Sequence, residues 1–203
     1  MTNLLFVRHG KDSDQHRGGW SQLDLLPEGK REAGALADYL AQHKEDYHFT
    51  KMITSDLKRA ETTATILAEV LQLPLEKESS LRETNNGDLA GMLNSEADQK
   101  FPRLYFRSLA MDEHYPNGES PREFYQRIKT WFQRFLQENN NSDETQIVVT
   151  HGGVINIIYH LVNQIEWTNK SNLFHVKHCS ISLLNTKTLV FEVENQTDFL
   201  EEK

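Results

Sequence analysis

The chain has 203 residues, of which 37% are hydrophobic and 26% are charged, as in an ordinary soluble globular protein and unlike a disordered chain. The formal net charge of −8 argues against a general nucleic-acid or membrane-surface binder, because both need a basic surface, but a local cluster of cations still allows an anionic substrate. Cys179 is the only cysteine, which excludes an intramolecular disulfide and a four-cysteine zinc site.

The first predicted element is a buried strand over residues 3–8, with the sequence NLLFVR. Its four consecutive apolar residues are too few for a signal sequence, and no run approaches the roughly 18 of a membrane span, so we expect a cytoplasmic protein. A polar stretch without periodicity, residues 11–22, predicts a loop. Pro27 then begins a helix that is predicted to run to about His43. Its apolar positions share one face and are Ala33, Leu36, Ala37 and Leu40.

A second strand is predicted over residues 49–55, with the sequence FTKMITS. Asp56 follows this strand and is a residue type that caps helix N-termini, so we expect it to cap the next helix. The buried positions of that helix recur at helical spacing and are Ala60, Thr63, Ala64, Leu67, Ala68 and Leu71. The next segment, residues 71–76 (LQLPLE), predicts a short extended link.

Residues 85–118 are the least regular part of the sequence and contain glycines, prolines, several aromatic residues and two arginines. A long irregular segment inside a compact domain is usually a functional lid or binding loop. We therefore predict a single domain over residues 1–203 with a lid or insertion at about 85–118.

The rest of the sequence predicts one long helix, one more buried strand and a closing pair of strands. Ser120 and Glu123 have the spacing of a capping box, which indicates that a helix begins there. Residues 145–150 (TQIVVT) predict a buried strand that leads into an apolar helix, and residues 180–194 predict an antiparallel hairpin or sheet edge. Short apolar runs that alternate with amphipathic stretches indicate an α/β fold with a mostly parallel sheet.

Two predicted strands end in the same way, as FVRHG and VVTHGG. Ligands of parallel α/β sheets bind at the carboxyl ends of the strands, so we expect His9 and His151 to face each other across one site. We interpret Gly10 as room for a ligand beside the backbone. Gly152 begins the helix after the second motif, and we predict that its N–H contributes to anion binding.

Two arginines strengthen the prediction of an anion site. Arg8 precedes His9, and Arg59 lies near the start of the helix after the second strand, at the same edge of the sheet. Nearby cations lower the pKa of a histidine and keep its imidazole neutral, hence nucleophilic. Two arginines and a second histidine can neutralise a transferred phosphoryl group without a metal. Glu83 is the best-placed carboxylate to protonate a leaving oxygen.

Five segments of the chain, in order, resemble the histidine phosphatase superfamily, also called phosphoglycerate-mutase-like. They are FVRHG, SDLKRAETTA, LRETNNGDLAG, PNGES and VVTHGG, and together they extend through nearly the whole chain. The resemblance implies a three-layer α/β/α sandwich with a mostly parallel central sheet. It also implies that the protein needs no metal and no organic cofactor.

The resemblance assigns a role to each matched residue. His9 would be the nucleophile that becomes phosphohistidine. Arg8, Arg59 and His151 would hold the phosphoryl group. Glu83 would be the general acid for the leaving group and later the base for water.

The match departs from the family pattern at two places. Lys11-Asp12 follows the first His-Gly pair where the family usually has serine or threonine, and Gln15 replaces a frequent asparagine, so Gln15 is also predicted as a phosphate ligand. Phosphoglycerate mutases typically follow the acid glutamate with arginine and an aromatic residue, whereas here residues 84–86 are Thr-Asn-Asn. We therefore predict the phosphatase branch, a metal-independent phosphoric monoester hydrolase of the histidine acid type.

Three alternatives remain open from the sequence. The sequence is also compatible with a phosphoglycerate mutase and with a non-catalytic protein that binds a phospho-ligand. A metal enzyme would use His175 and His178 together with His151 or His160, but histidines on an edge strand are the simpler interpretation of the first pair.

Substrate specificity is expected to lie in residues 11–26 and 85–118. The candidates for a second polar contact to the substrate are Arg103, Arg107, His114 and Tyr115. The expected partner is a small phosphorylated substrate, not nucleic acid or membrane, and the chain is compatible with a homodimer.

Overall fold

A six-stranded sheet in the order β3-β2-β4-β1-β5-β6 forms the centre of the computed structural model, which describes residues 2–139, 144–171 and 173–200. The strands are β1 (Asn3–Arg8), β2 (Phe49–Thr54), β3 (Leu75–Lys77), β4 (Thr145–Thr150), β5 (Ile181–Asn185) and β6 (Val190–Gln196). Strands β1, β2, β3 and β4 are mutually parallel, while β5 and β6 add antiparallel at one edge. The predicted mostly parallel sheet and closing hairpin are confirmed.

Helices cover both faces of this sheet. They are α1 (Pro27–Gln42), α2 (Lys44–Tyr47), α3 (Lys58–Leu71), α4 (Asn94–Lys100), α5 (Pro121–Glu138) and α6 (Gly152–Val162). Side chains of β1 alternate: Leu4 and Phe6 pack on the face of α5 and α6, and Leu5 and Val7 on the face of α1 and α3. The three-layer α/β/α sandwich is thus confirmed. Within the described ranges, no helix is both long and apolar enough to cross a membrane.

The predicted capping box at the start of α5 is present. The Ser120 hydroxyl accepts a hydrogen bond from the Glu123 N–H at 3.2 Å, and the Glu123 carboxylate accepts one from the Ser120 N–H at 3.0 Å. Both bonds satisfy backbone donors that a helix terminus otherwise leaves without partners. The capping box thus fixes where α5 begins, and α5 lies next to the segment that contains Glu83.

Two local predictions are wrong. Asp56 does not cap α3, whose N-cap is Leu57; instead the Asp56 carboxylate accepts two hydrogen bonds of 2.6 Å from Arg82. A bidentate ion pair satisfies both carboxylate oxygens, so it displaces the local cap. The link predicted over residues 71–76 is only partly a link: Leu71 belongs to α3, and Leu75 and Glu76 belong to β3, which pairs with β2 at the sheet edge.

Residues 85–118 are more ordered than their composition indicates. They contain α4 and two short 3₁₀ turns, Gly87–Leu89 and Phe106–Ser108. A small hydrophobic core lies within this segment and consists of Leu89, Ala97, Leu109 and Tyr115. The segment is therefore a packed unit, joined to the loop after β1 by a bridge between His16 and Leu93.

Candidate active site

The ends of β1 and β4 bring the two predicted histidines together. The strands are parallel neighbours, and Arg8 is paired in register with Thr150, so His9 and His151 leave the sheet side by side. Their ring centroids are 5.0 Å apart with the rings inclined at 60°. Both residues are buried. The predicted pairing of FVRHG with VVTHGG at one sheet edge is present.

Hydrogen bonds fix the orientation of the His9 ring. Its Nδ1 lies 2.8 Å from the carbonyl oxygen of Gly10, and because a carbonyl can only accept, Nδ1 carries the ring hydrogen. The other nitrogen, Nε2, keeps its lone pair and accepts from Arg59 Nε at 3.3 Å. Burial is the largest cause that lowers the pKa of His9 well below 6.5, and the charges of Arg59 and Arg8 lower it further. His9 therefore presents a neutral, nucleophilic Nε2.

Gly10 serves helix packing rather than ligand access, so our interpretation of this glycine is wrong. A Cβ at Gly10 would lie 2.4 Å from the carbonyl oxygen of Gly29 in α1, which no side chain tolerates. The Gly10 N–H donates to the Thr63 hydroxyl at 3.1 Å, and this hydroxyl donates to the Arg59 carbonyl at 2.8 Å. The glycine thus allows α1 to approach the strand end, while α3 is tied to it through Thr63.

Arg8 is held by the loop that precedes β5. Its two terminal nitrogens contact the Val176 carbonyl oxygen at 2.5 Å and His178 Nε2 at 2.7 Å. Its Nε is buried and has no hydrogen-bond partner among the described residues. Burial lowers the pKa of Arg8, but a guanidinium starts so high that it remains a cation at neutral pH. Arg8 therefore offers a buried, positively charged donor.

Arg59 is held by the loop after β1. Its terminal nitrogens donate to the carbonyl oxygens of Ser21 at 3.2 Å and Gly19 at 2.8 Å. The Asp12 carboxylate lies 3.4 Å from its Nε, the same nitrogen that contacts His9. Burial lowers the pKa of Arg59, and the Asp12 charge opposes this shift. The guanidinium is thereby fixed with one edge at the His9 nucleophile.

His151 is fully buried, with Nε2 2.8 Å from the Ser55 hydroxyl. Its Nδ1 is buried without a partner in the described part of the chain. Burial is the first cause that lowers the pKa of His151 well below 6.5, followed by the charges of Arg59, His9 and Arg8. When Ser55 donates to Nε2, the hydrogen of His151 lies on Nδ1. Together with Arg8 Nε, this gives two unpaired buried donors, which are costly unless an anion accepts from them.

Glu83 is brought to the same site by the HGG motif of α6. Its two carboxylate oxygens accept hydrogen bonds from the Gly153 N–H at 2.9 Å and the Thr84 N–H at 3.0 Å. A Cβ at Gly153 would lie 2.2 Å from the Glu83 carboxylate, so only glycine permits this approach. The second glycine of the motif is therefore required by the carboxylate.

Two residues that the sequence analysis missed position the Glu83 backbone. Trp20 Nε1 donates to the Glu83 carbonyl oxygen at 2.8 Å. Arg127 of α5 donates to the same oxygen at 3.2 Å and to the carbonyls of Ser80 and Arg82 at 2.8 and 2.9 Å. No local pattern marks either residue, because their partners are backbone atoms more than forty residues away.

A cleft of about 320 Å³ opens at these strand ends, and we name it the His9 cleft. It is lined by four of the predicted site residues, Arg8, His9, Glu83 and Gly152. Arg59 and His151 lie beneath it as buried contacts of His9. The structure places Gln15 on an exposed loop, outside the lining of the cleft.

The structure places one of the four candidates for substrate specificity in the lining of the cleft and three outside it. Arg107 lines the His9 cleft, as predicted. Arg103 is exposed outside it, Tyr115 is buried in the small core of residues 85–118, and His114 lies 2.9 Å from the Glu123 carboxylate. Only Arg107 of the four therefore borders the space where a substrate would lie.

The interpretation of His175 and His178 as edge-strand residues is wrong. Both lie in the loop before β5, and the His178 ring centroid is 5.8 Å from that of His9. Burial, and then the charge of Arg8, lowers the pKa of His178 to about 4, so it accepts from Arg8 as a neutral ring. His160 is buried in α6 and contacts the Ser171 hydroxyl at 2.9 Å. His178 is thus part of the site as a contact of Arg8, a role that the sequence pattern did not predict.

One set of side chains could approach a metal ion. Among the described residues, His9, Asp12 and His178 place one potential ligand atom each within 4.8 Å of the others. However, His9 Nε2 already accepts from Arg59, and His178 Nε2 accepts from Arg8. A cation between two guanidinium groups is electrostatically disfavoured. The lone pairs of these three side chains are therefore already directed at guanidinium groups, and the surrounding positive charge disfavours a metal ion.

We expect His9 and His151 to remain neutral well below pH 6.5, the ordinary pKa of a histidine. Their lowered pKa values mean that the nucleophile is lost only when the pH falls through those values, not near 6.5. Ring-nitrogen NMR shifts during a pH titration test this, with His9→Asn and His151→Asn assigning the signals. Protonation of the His9 ring close to pH 6.5 would contradict the electrostatic description.

The chain is similar to known proteins in both sequence and fold. The family model described as the histidine phosphatase superfamily (branch 1) matches residues 4–198. The chain is 29% identical to a 2,3-bisphosphoglycerate-dependent phosphoglycerate mutase of Cytophaga hutchinsonii, over 87% of this chain and 83% of that protein. It is 31% identical to a metal-independent phosphoserine phosphatase of Arabidopsis thaliana, over 84% and 72% of the two chains. The solved structure of Bacillus stearothermophilus YhfR has a similar fold, with a TM-score of 0.83, 23% identity, and coverage of 99% of this chain and 100% of that one.

Proposed function

Because the chain belongs to the histidine phosphatase superfamily, we propose that it hydrolyses phosphomonoesters through a phosphohistidine intermediate on His9. The observation that carries the proposal is the neutral His9 ring, whose Nε2 lies 3.3 Å from Arg59 Nε and within the influence of the Arg8 charge, with the ring of a second neutral imidazole 5.0 Å away. An attacking lone pair beside fixed positive charge is the arrangement that phosphoryl transfer needs.

In the first step, His9 Nε2 attacks the phosphorus atom and the bond from phosphorus to the ester oxygen breaks. Arg8, Arg59 and His151 bind the phosphoryl oxygens and neutralise their charge. Glu83, in its protonated form, donates a proton to the leaving alcohol. Gly152 lines the cleft at the start of α6, where backbone N–H groups favour an anion.

In the second step, water attacks the phosphohistidine and the bond from phosphorus to nitrogen breaks. Glu83 is now a carboxylate and takes the proton from the water, while His9 recovers its lone pair. The product is inorganic phosphate. Backbone N–H groups of Thr84 and Gly153 fix the carboxylate for both proton transfers. Gln15 enters this scheme only as a phosphate ligand that would have to move inwards from its exposed loop.

A phosphoglycerate mutase is the second candidate, since mutases as well as phosphatases are among the relatives. A mutase must bind the carboxylate of its substrate and keep water from the phosphoenzyme. Residues 84–86 lack the arginine and aromatic side chain that are typical of mutases. The Asn86 side chain instead accepts a hydrogen bond from the backbone N–H of Trp20 at 3.1 Å. Hydrolysis therefore has stronger support than the mutase reaction. A binding protein without catalysis has weaker support than either, because His9 and Glu83 are both present.

Hydrolysis of p-nitrophenyl phosphate is expected to continue undiminished in excess EDTA, because protein cations alone neutralise the transferred group. Release of nitrophenolate with and without the chelator measures this. Loss of activity that added divalent metal restores would contradict metal independence. Incubation with 3-phosphoglycerate completes the test: isomerisation to 2-phosphoglycerate without phosphate release identifies a mutase.

Three wider features belong to the same proposal. The chain acts as one domain, and residues 85–118 contribute one wall of the substrate cleft through Phe106 and Arg107. It works in the cytoplasm, in keeping with its single cysteine. It takes a small phosphorylated substrate and no nucleic acid, and a homodimer is compatible with this function.

A further inference from the structure

Aromatic rings line the His9 cleft beyond the residues assigned to the phosphoryl group, which are Arg8, His9, Glu83 and Gly152, and we name this part the outer cleft. Four aromatic side chains line it: Phe106, Phe124, Trp167 and Phe174. Phe106 and Phe174 are half-buried, whereas Phe124 and Trp167 are buried behind the surface of the wall. His9, Glu83 and these rings line one cleft, so the leaving group of a bound phosphomonoester would lie beside the rings.

The rings of the wall are fixed by their neighbours. Phe106 contacts Phe124 edge-on, with centroids 6.0 Å apart and rings inclined at 74°. Phe174 stacks on Tyr159 at 4.8 Å, and Trp167 stacks on Tyr125 at 5.5 Å. Such contacts hold each ring from behind and leave the cleft side free for a ligand.

The polar side chains of the wall are used to hold it in place. Asn156 donates to the Phe174 carbonyl oxygen at 2.8 Å and accepts from Trp167 Nε1 at 3.1 Å. Asn169 donates to the carbonyl oxygens of Phe106 at 2.5 Å and Leu109 at 3.0 Å. Both amide side chains thus bind the protein itself, so the rings rather than the amides meet a ligand.

The cations of the outer cleft are at its rim. Apart from Arg8, the basic side chains among its described lining residues are Arg107 and His175, and both are exposed. A carboxylate that is bound specifically usually meets a buried, bidentate arginine. The outer cleft therefore suits an uncharged ring better than a second acidic group.

We propose that the leaving group of the natural substrate carries a planar aromatic or heteroaromatic ring, which packs against Phe106 and Phe174. This inference rests on the proposed phosphatase function. A cleft of about 320 Å³ is at the small end of ligand pockets and accepts a phosphoryl group with one ring system. A phosphorylated hydroxy acid such as phosphoglycerate would leave the aromatic faces without a partner.

Two matched ligand pairs test the proposal. Adenosine 5′-monophosphate and ribose 5-phosphate share the same phosphorylated primary alcohol and differ in the ring, so their kcat/KM ratio isolates recognition of the ring. Benzylphosphonate and ethylphosphonate cannot be hydrolysed, and calorimetry of their binding makes the same comparison without catalysis. We expect the aromatic member of each pair to be favoured about 10-fold.

The variant Phe174→Leu keeps most of the side-chain volume and removes the aromatic face. We expect it to reduce the preference for the aromatic member of each pair by about 3- to 10-fold, because the ring of the ligand loses its stacking partner. Phe199→Leu is the matched control, since Phe199 stacks on Tyr39 at 4.6 Å on the opposite face of the sheet. Phe106→Leu is the second variant should Phe174→Leu fail to fold.

The possible results separate the inference from the function on which it rests. Equal affinity for the two phosphonates would overturn the proposal of an aromatic leaving group but not the phosphatase function. A preference for 3-phosphoglycerate over both adenosine 5′-monophosphate and ribose 5-phosphate would do the same. Selective binding of benzylphosphonate without turnover of any ester would support the aromatic site and overturn the phosphatase. An unchanged preference in both phenylalanine variants would overturn their assignment to the ring.

Discussion

Replacement of His9 by alanine is expected to lower kcat by at least about 10⁴-fold, as loss of a catalytic nucleophile does in other covalent enzymes. Nδ1 of His9 is occupied by the Gly10 carbonyl, so the phosphoryl group is expected on Nε2. A phosphorus–nitrogen bond is labile in acid and stable in base. The same variant should therefore lose the acid-labile label that wild-type protein acquires from a radioactive phosphomonoester.

The control for this variant is His43→Ala. His43 lies at the end of α1 and contacts the Tyr39 carbonyl, away from the lining of the His9 cleft. It should retain both turnover and label. Circular dichroism and thermal unfolding verify that His9→Ala is folded. Acid-labile phosphate on folded His9→Ala protein would place the nucleophile on another side chain and refute the assignment.

Glu83→Gln is expected to affect substrates according to their leaving groups. For an alkyl ester such as ribose 5-phosphate, the loss of a general acid should lower kcat/KM by about 10²- to 10⁴-fold. Nitrophenolate leaves without protonation, so attack of His9 on p-nitrophenyl phosphate should be far less impaired. Turnover of the phosphoenzyme still needs a base, and an initial burst of nitrophenolate followed by slow release is expected.

Rapid-mixing kinetics measure the burst, and its amplitude should approach one equivalent per site. Glutamine keeps the shape of the side chain but offers a single oxygen to the N–H groups of Thr84 and Gly153, so thermal unfolding of the variant is the structural control. An equal loss of kcat/KM for both esters would show that Glu83 acts by holding the site together and not by proton transfer.

The periodicity of apolar residues predicted much of the fold. The wrong predictions concern segments whose structure depends on contacts with residues distant in the sequence. The strands β1, β2 and β4 and the helices α1 and α5 have long apolar patterns that burial on the sheet requires. Strand β3 has three residues, too short for any period. Asp56 has the chemistry of a helix cap, but the guanidinium of Arg82 binds it through tertiary contact.

The candidate site was predictable where its residues follow strands. His9 and His151 could be paired from sequence because two apolar runs end in the same letters and parallel strands share an edge. Asp12 and His178 lie in loops, and their approach to Arg59 and Arg8 depends on how those loops cross the sheet edge. The role of Gly153 could not be predicted either, because it depends on the close approach of the Glu83 carboxylate.

The order of strands has a consequence for the newly made chain. Strand β1 is synthesised before the other five described strands, yet its sheet neighbours are β4 (Thr145–Thr150) and β5 (Ile181–Asn185). Its apolar residues therefore stay unpaired through most of synthesis, when they are open to chaperones and to aggregation. The contacts that hold Arg8 in place form only after residue 178 has emerged. Before that point Arg8 lacks its contacts with Val176 and His178, so the anion site at the strand ends is incomplete.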